Sequence, residues 1–245
     1  MLLRFEEISN NAWPALQTLQ YDGWILRFAN GVTKRSNSVT LLYPSHIDPI
    51  EKIRFCESLY QSKNIVPCFK ITPFSLPSDL DHLLENAGYY IHSHISFQTL
   101  DMGSIPVAFH REVMIETTLR EEWIDDFIRM NQFDPARKEI YRMIMERLVT
   151  PFCMVSVKQG AKTLGVGLGV AEKPYIGLFD LVVDPEYRNR GIGRKLVEQI
   201  LHWGLQQGAT TAYLQVLTDN HPALKLYQSM GFLELYQYWY RMKPI

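Results

Sequence analysis

Two short segments of this chain carry residue types whose spacing suits ligand chemistry. In the first, the apolar residues Leu181, Val182 and Val183 stop at Asp184-Pro185, and Glu186-Tyr187-Arg188-Asn189-Arg190-Gly191-Ile192-Gly193-Arg194 follows. Ile192, Leu196, Ile200 and Trp203 then recur at helical spacing. A strand, a glycine-bearing turn and a helix start make an anion cradle, because free backbone N–H groups and the helix dipole point at one spot. Arg188, Arg190 and Arg194 add formal charge. Gly191 and Gly193 let the backbone bend and approach a ligand, and Asn189 is of a type that tolerates positive φ. Asp184, preceding proline, is held extended and ends the strand. The plainer alternative is an ordinary strand-to-helix turn with solubilising arginines.

Two familiar phosphate folds fail on the letters. A dinucleotide fingerprint needs a third glycine where Leu196 stands, and a P-loop needs a Gly-Lys-Ser/Thr that is absent. The second segment, Asn220-His221-Pro222-Ala223-Leu224-Lys225-Leu226-Tyr227-Gln228-Ser229-Met230-Gly231-Phe232, reads as a short helix. Asn220 suits the cap, Pro222 the first turn and Gly231 the stop. Asn220, Ala223 and Tyr227 fall on one face, so a slender ligand can lie between an amide and a phenol over a small residue. The alternative is a capped core helix whose tyrosine only packs.

Together these segments resemble the GNAT acetyltransferase superfamily. Its R-x-x-G-x-G/A element is matched by Arg188, Gly191 and Gly193, and its N-x-x-A-x-x-x-Y-x-x-x-G-F element by Asn220, Ala223, Tyr227, Gly231 and Phe232. The match runs from about Glu112 to the C-terminus. The resemblance implies acetyl-CoA as cosubstrate, with its pyrophosphate on the backbone of Arg188, Asn189, Arg190, Gly191, Ile192, Gly193 and Arg194. Its pantetheine would pass beside Leu181, Val182 and Val183 where neighbouring strands splay, contacting Asn220 and Ala223. Tyr227 would protonate the departing thiolate. The acceptor is an amine of a small molecule or peptide, attacking directly in a ternary complex (EC 2.3.1.-). Many members carry a glutamate four residues before the position of Leu181; this chain has Gly177 there, so Asp180 is the first substitute as base. A longer acyl-CoA donor, or a non-catalytic acyl-CoA sensor, are the competing readings.

The elements that must position these residues read as a mixed sheet flanked by helices. Strands are expected at Val113–Leu119, Phe152–Val157, Thr163–Ala171, Tyr175–Val183, Thr211–Val216 and Leu233–Met242. Helices are expected at Glu121–Asn131, Asp134–Leu148, from the turn to about Gln207, and after Asn220. The first hundred residues look like a worn copy of the plan. Thr40-Leu41-Leu42-Tyr43-Pro44 echoes Leu181-Val182-Val183-Asp184-Pro185, and Asn86-Ala87-Gly88-Tyr89 echoes Ser229-Met230-Gly231-Phe232 at nearly the same offset. No glycine lies between Gly31 and Gly88, and Pro77, Leu80 and Leu84 stand where Asn220, Ala223 and Tyr227 would map. The fold class is therefore α/β (α+β mixed sheet) in two tandem GNAT-like domains. Residues 1–103 form a degenerate domain without cofactor site, 104–111 a linker and 112–245 the catalytic domain.

Net charge of −1 over 245 residues excludes a typical nucleic-acid binder. Cys56, Cys68 and Cys153 lack metal spacing and suit a reducing cytoplasm. His92 and His94 share a strand face but want a third ligand, so no metal is expected. No apolar run spans a bilayer, so no membrane partner is expected, and the chain is read as a cytoplasmic monomer or homodimer. Tyr236, Tyr238 and Tyr240 share one face of the last strand, either lining an acceptor cleft or packing.

Overall fold

The computed structural model describes residues 2–104 and 106–244. Its elements, in chain order, begin with α1 (Leu2–Ala12), β1 (Gln17–Tyr21), β2 (Trp24–Phe28), β3 (Val39–Leu41), α2 (Pro49–Ser62), β4 (Cys68–Ile71), α3 (Leu80–Asn86) and β5 (Tyr90–Asp101). Then come β6 (Val113–Glu116), α4 (Glu121–Met130), α5 (Arg137–Met145), β7 (Phe152–Gln159), β8 (Lys162–Glu172) and β9 (Tyr175–Val183). Last are α6 (Ile192–Gln206), β10 (Thr211–Leu217), α7 (His221–Ser229) and β11 (Leu233–Met242). By compactness the chain forms two units. The first runs to Ser96 and includes the segment from Tyr236 onward; the second is Phe97–Leu235.

In the first unit, β1, β2 and β3 pair antiparallel, β3 runs parallel to β4, and β11 lies antiparallel against β4. The two-residue turn Asp22-Gly23, both at positive φ, closes the first hairpin. Leu26, Val39 and Phe69 stand in register and face the apolar core shared with α2 and α3. The opposite face is polar and lies against α1. There Thr40, Lys70 and Tyr240 are register partners. Lys70 Nζ donates to both oxygens of Glu6 (2.8 and 2.7 Å) and sits 4.0 Å from the Tyr238 ring, and Tyr236 Oη donates to Glu6 at 2.7 Å. Burial pulls the Lys70 ammonium below its ordinary range, against the pull of Glu6. Tyr236, Tyr238 and Tyr240 are all buried, so their shared face serves packing.

In the second unit, β6, β7, β8 and β9 are joined antiparallel and β9 runs parallel to β10. Alternation along β7 sends Cys153, Val155 and Val157 into the core with α6, and Met154, Ser156 and Lys158 to the α4 side. The apolar stripe of α6, Ile192, Leu196, Ile200 and Trp203, is buried on the first of these faces. On the second, the Trp123 indole of α4 donates to the Val155 carbonyl at 3.1 Å. Cys56, Cys68 and Cys153 are free and buried, their thiols pushed up to about 12 by desolvation, which makes them inert. Among the described residues no helix is long and apolar enough to cross a membrane, and no cluster of three metal-ligating side chains occurs.

Candidate active site

The backbone of β9 opens on both sides at one level. Its parallel pairing with β10 ends at Leu178↔Leu214, although β9 runs on to Val183 and β10 to Leu217. The splay expected from the sequence therefore starts after Leu178. On the β8 side the register shifts: Phe179 faces Leu168 and Val182 faces Val166, so Asp180 and Leu181 together oppose Gly167. Asp180 takes φ +49 at this bulge. The extra residue turns Leu181 and Val183 toward the α6 core.

Past the bulge, Asp184 ends the strand. Its side chain accepts the Glu186 N–H at 3.1 Å and pairs with Arg129 at 3.3 Å and Lys162 at 3.7 Å. Burial would raise this carboxyl, but the Glu186 amide, Arg129 and Lys162 outweigh it and hold it below the usual carboxylate range. Pro185–Tyr187 form a single 3-10 turn, Asn189 takes φ +62 as its type suggests, and Gly191 takes φ +77 as the residue before α6. Gly191, the N-cap of α6, has no side chain to cap its first amides. A helix start of this kind can take up an outside anion.

These elements surround a cleft of about 710 Å³. Of the residues the sequence reading placed at the cofactor, Leu181, Val182, Val183, Arg188, Asn189, Gly191, Ile192, Gly193, Arg194, Asn220, Ala223 and Tyr227 all line it. Arg190 does not; its guanidinium lies 4.9 Å from the Tyr187 ring and bonds the Glu186 carbonyl at 3.4 Å. Asp180 is not in the lining either; it sits one residue before it on β9. Arg188, Arg194 and Lys225 line the cleft, and among the described residues no carboxylate does. Such a surface suits a polyanion. Arg194 bridges α6 and α7, bonding Glu198 at 3.4 Å and Ser229 Oγ at 2.7 Å. Lys225 and Ser229 share the helix that the Asn220 motif marked. Asn131, the C-cap of α4, had no signal in the sequence.

In α7, the Asn220 side-chain oxygen caps the Ala223 N–H at 3.3 Å, which leaves its amide N–H₂ as the donor side. Gly231 follows the helix at φ +89. Tyr227 is 8% exposed and packs edge-on to Phe232 at 5.7 Å. Burial pushes its phenol up to about 12.

Gly177 has a physical reason. A Cβ there would lie 2.5 Å from Phe179 Cε2 and 2.6 Å from Tyr213 Cζ and Oη. Tyr213, its register partner on β10, is stacked on Phe97 at 5.6 Å and edge-on to Phe179 at 5.9 Å. The ring system fills the room an acidic side chain would need. Gly177→Glu is therefore expected to lower stability by about 2–4 kcal/mol without raising activity. Urea denaturation, read together with the acetyl-transfer rate, checks both parts.

The fold that carries this split parallel strand pair, bulged central strand and uncapped helix start is that of the GNAT acetyltransferases. Solved structures agree. The GCN5-related N-acetyltransferase from Kribbella flavida superposes at TM-score 0.70, covering 99% of this chain and 95% of that one at 13% identity. The tandem GNAT protein from the clavulanic acid biosynthesis pathway does so at 0.67, covering 97% and 86% at 13% identity. The family model described as "Probable histone acetyltransferase Rv0428c C-terminal" matches residues 3–241, and the chain belongs to that family. The uncharacterised N-acetyltransferase YobR of Bacillus subtilis is 31% identical over 98% of each chain. A 45% identical stretch covers 30% of this chain and 49% of the N-alpha-acetyltransferase RimI of Mycobacterium tuberculosis.

Proposed function

We propose that the second unit transfers the acetyl group of acetyl-CoA to an amine by direct attack. The observation that carries this is the cleft itself: among the described residues three cations and no carboxylate line it, a left-handed glycine opens an uncapped helix, and a buried phenol stands in one wall. The α6 start with Arg188 and Arg194 receives the diphosphate. The unpaired edge of β9 at Leu181, Val182 and Val183 offers main-chain groups to the pantetheine arm, and an N–H there polarises the thioester carbonyl. The Asn220 amide binds the same arm. Tyr227 donates to the departing sulfur.

An alkylamine with pKa about 10.4 is roughly 0.1% free base at pH 7, so a carboxylate or water relay helps. Asp180, at the bulge one residue before the cleft lining, is the residue proposed for it. The acceptor class follows the short likeness to the N-alpha-acetyltransferase RimI and to the ribosomal protein bS18-alanine N-acetyltransferase of Escherichia coli, the latter 40% identical over 23% of this chain. The first unit is read as a GNAT-like copy without cofactor chemistry; Leu80 and Leu84, which replace the small residue and the phenol, are buried in its core.

The test is thiol release from acetyl-CoA across a panel of small amines and of peptides with free N-termini, beside calorimetry with CoA. Release with one acceptor class establishes the activity. Gly177, crowded by Tyr213, favours one second reading: uptake of CoA with no release for any amine makes the chain an acyl-CoA sensor. No uptake of any CoA species overturns both.

A further inference from the structure

On the α4 face of the second unit's sheet lies another cavity, of about 370 Å³, walled by α4 and strands β6, β7 and β8. It shares no lining residue with the Tyr227 cleft. Its size falls in the range of small-ligand sites. Met154 and Trp123 give it an apolar floor, and Ser156, 9% exposed, places a hydroxyl in it that bonds to no described residue.

The charges are distributed by the topology. Glu116 and Arg120 neutralise each other at 3.0 Å at the start of α4. Asp126, one turn beyond Glu122, is held by Arg129 at 2.8 Å. That leaves Glu122 and Lys158, each without an ion partner within 4.0 Å among the described residues. Glu116 is the register partner of Met154, so the α4 start belongs to the Met154 end of the cavity. Lys158 lies four residues further along β7, about 13 Å at strand rise. A lone cation would meet Lys158 and a lone anion Glu122. An elongated ligand with an ammonium at one end and a carboxylate at the other satisfies both.

We propose that this cavity is a regulatory site for a short zwitterionic peptide, its ammonium between Glu122 and Asp126 and its carboxylate on Lys158. Occupancy reaches the anion turn through a chain of charges. Arg129 holds Asp126 with one amino group and Asp184 with the other, and Asp184 starts the turn. An ammonium that takes up Asp126 leaves Arg129 to Asp184 and the Thr163 carbonyl and firms the turn. This coupling rests on reading the Tyr227 cleft as the coenzyme site; binding of the peptide does not.

The experiment titrates the full chain with tetra-alanine, about 13 Å long when extended, by calorimetry, first without CoA and then with it. The peptide binds, and Glu122→Gln and Lys158→Met each weaken it at least tenfold, as does N-acetylation of the peptide. Saturating peptide tightens CoA about fivefold, and CoA tightens the peptide by the same factor. Asp126→Asn reduces that factor to near one. No uptake, or uptake indifferent to both single variants, overturns the site. Uptake that leaves CoA affinity unchanged overturns the coupling. Failure of CoA itself to bind counts against the proposed function, while the titration without CoA still decides the site.

Discussion

Tyr227→Phe lowers turnover about 100- to 1,000-fold and leaves CoA affinity within about threefold, in line with the usual weight of a positioned acid. The ring keeps its edge contact with Phe232, so the fold and the cleft wall persist. On the proposed mechanism, the loss is of a donor at the leaving sulfur. In water a phenol of pKa about 10 is a slightly weaker acid than a thiol of pKa about 8.5. Burial pushes Tyr227 up to about 12, and the same dry surroundings disfavour a bare thiolate, so the demand on the donor rises with its pKa. The phenol stays neutral through the working range, and the alkaline limb of the rate profile below pH 10 must come from another group. Linkage gives a second readout. Unfolded tyrosine ionises above about pH 10 while the buried phenol keeps its proton, so the wild type loses stability relative to Tyr227→Phe between about pH 10 and 12. Steady-state kinetics beside calorimetry with CoA separates the readings. Equal loss of turnover and affinity makes Tyr227 a packing residue and removes its catalytic role.

Much of the candidate site was legible because its signals are local. The limits of β9 and β11, the cap by Asn220, the stop at Gly231 and the positive φ of Asn189 each follow from one residue type at one place. Other features depend on partners distant in sequence. Nothing in β9 alone says that β10 leaves it after Leu178, or that Gly167 lies opposite two residues; both are properties of register. Arg190 shows the same limit. Its spacing equals that of its neighbours, yet the ring of Tyr187 takes its charge. In the first unit, α1 and the Asp22-Gly23 hairpin were not foreseen. The helix buries Phe5, Ile8 and Ala12 beside the polar Glu6 and Ser9, with Glu6 facing Lys70, so polar letters interrupt the apolar stripe that marks a helix in a sequence. Compactness also departs from chain order. The segment from Tyr236 belongs with the unit remote from it along the chain, and the division falls inside β5, after Ser96, where no local pattern marks a boundary.

Gly191 carries the second large effect, through a cause the letters alone do not reveal. The sequence suggests that a side chain here would crowd a phosphate. A Cβ built on Gly191 meets nothing within 4 Å, so the free protein has room for one. The constraint is the backbone, which stands at φ +77 in the left-handed region. Leaving glycine there costs about 1–2 kcal/mol for most residues and more for a β-branched one. The chain relieves that strain by rotating φ, which swings the amides of Ile192 and Gly193 off the cleft they line. Gly191→Val is expected to weaken CoA binding at least 100-fold while the second unit stays folded. A graded series distinguishes the causes. Asparagine is bulkier than alanine but tolerates left-handed φ. If conformation governs, calorimetry ranks affinity Gly191, then Asn, then Ala, then Val. If crowding of the ligand governs, Ala outranks Asn. An unchanged affinity in the valine variant would remove the helix start from the binding site altogether.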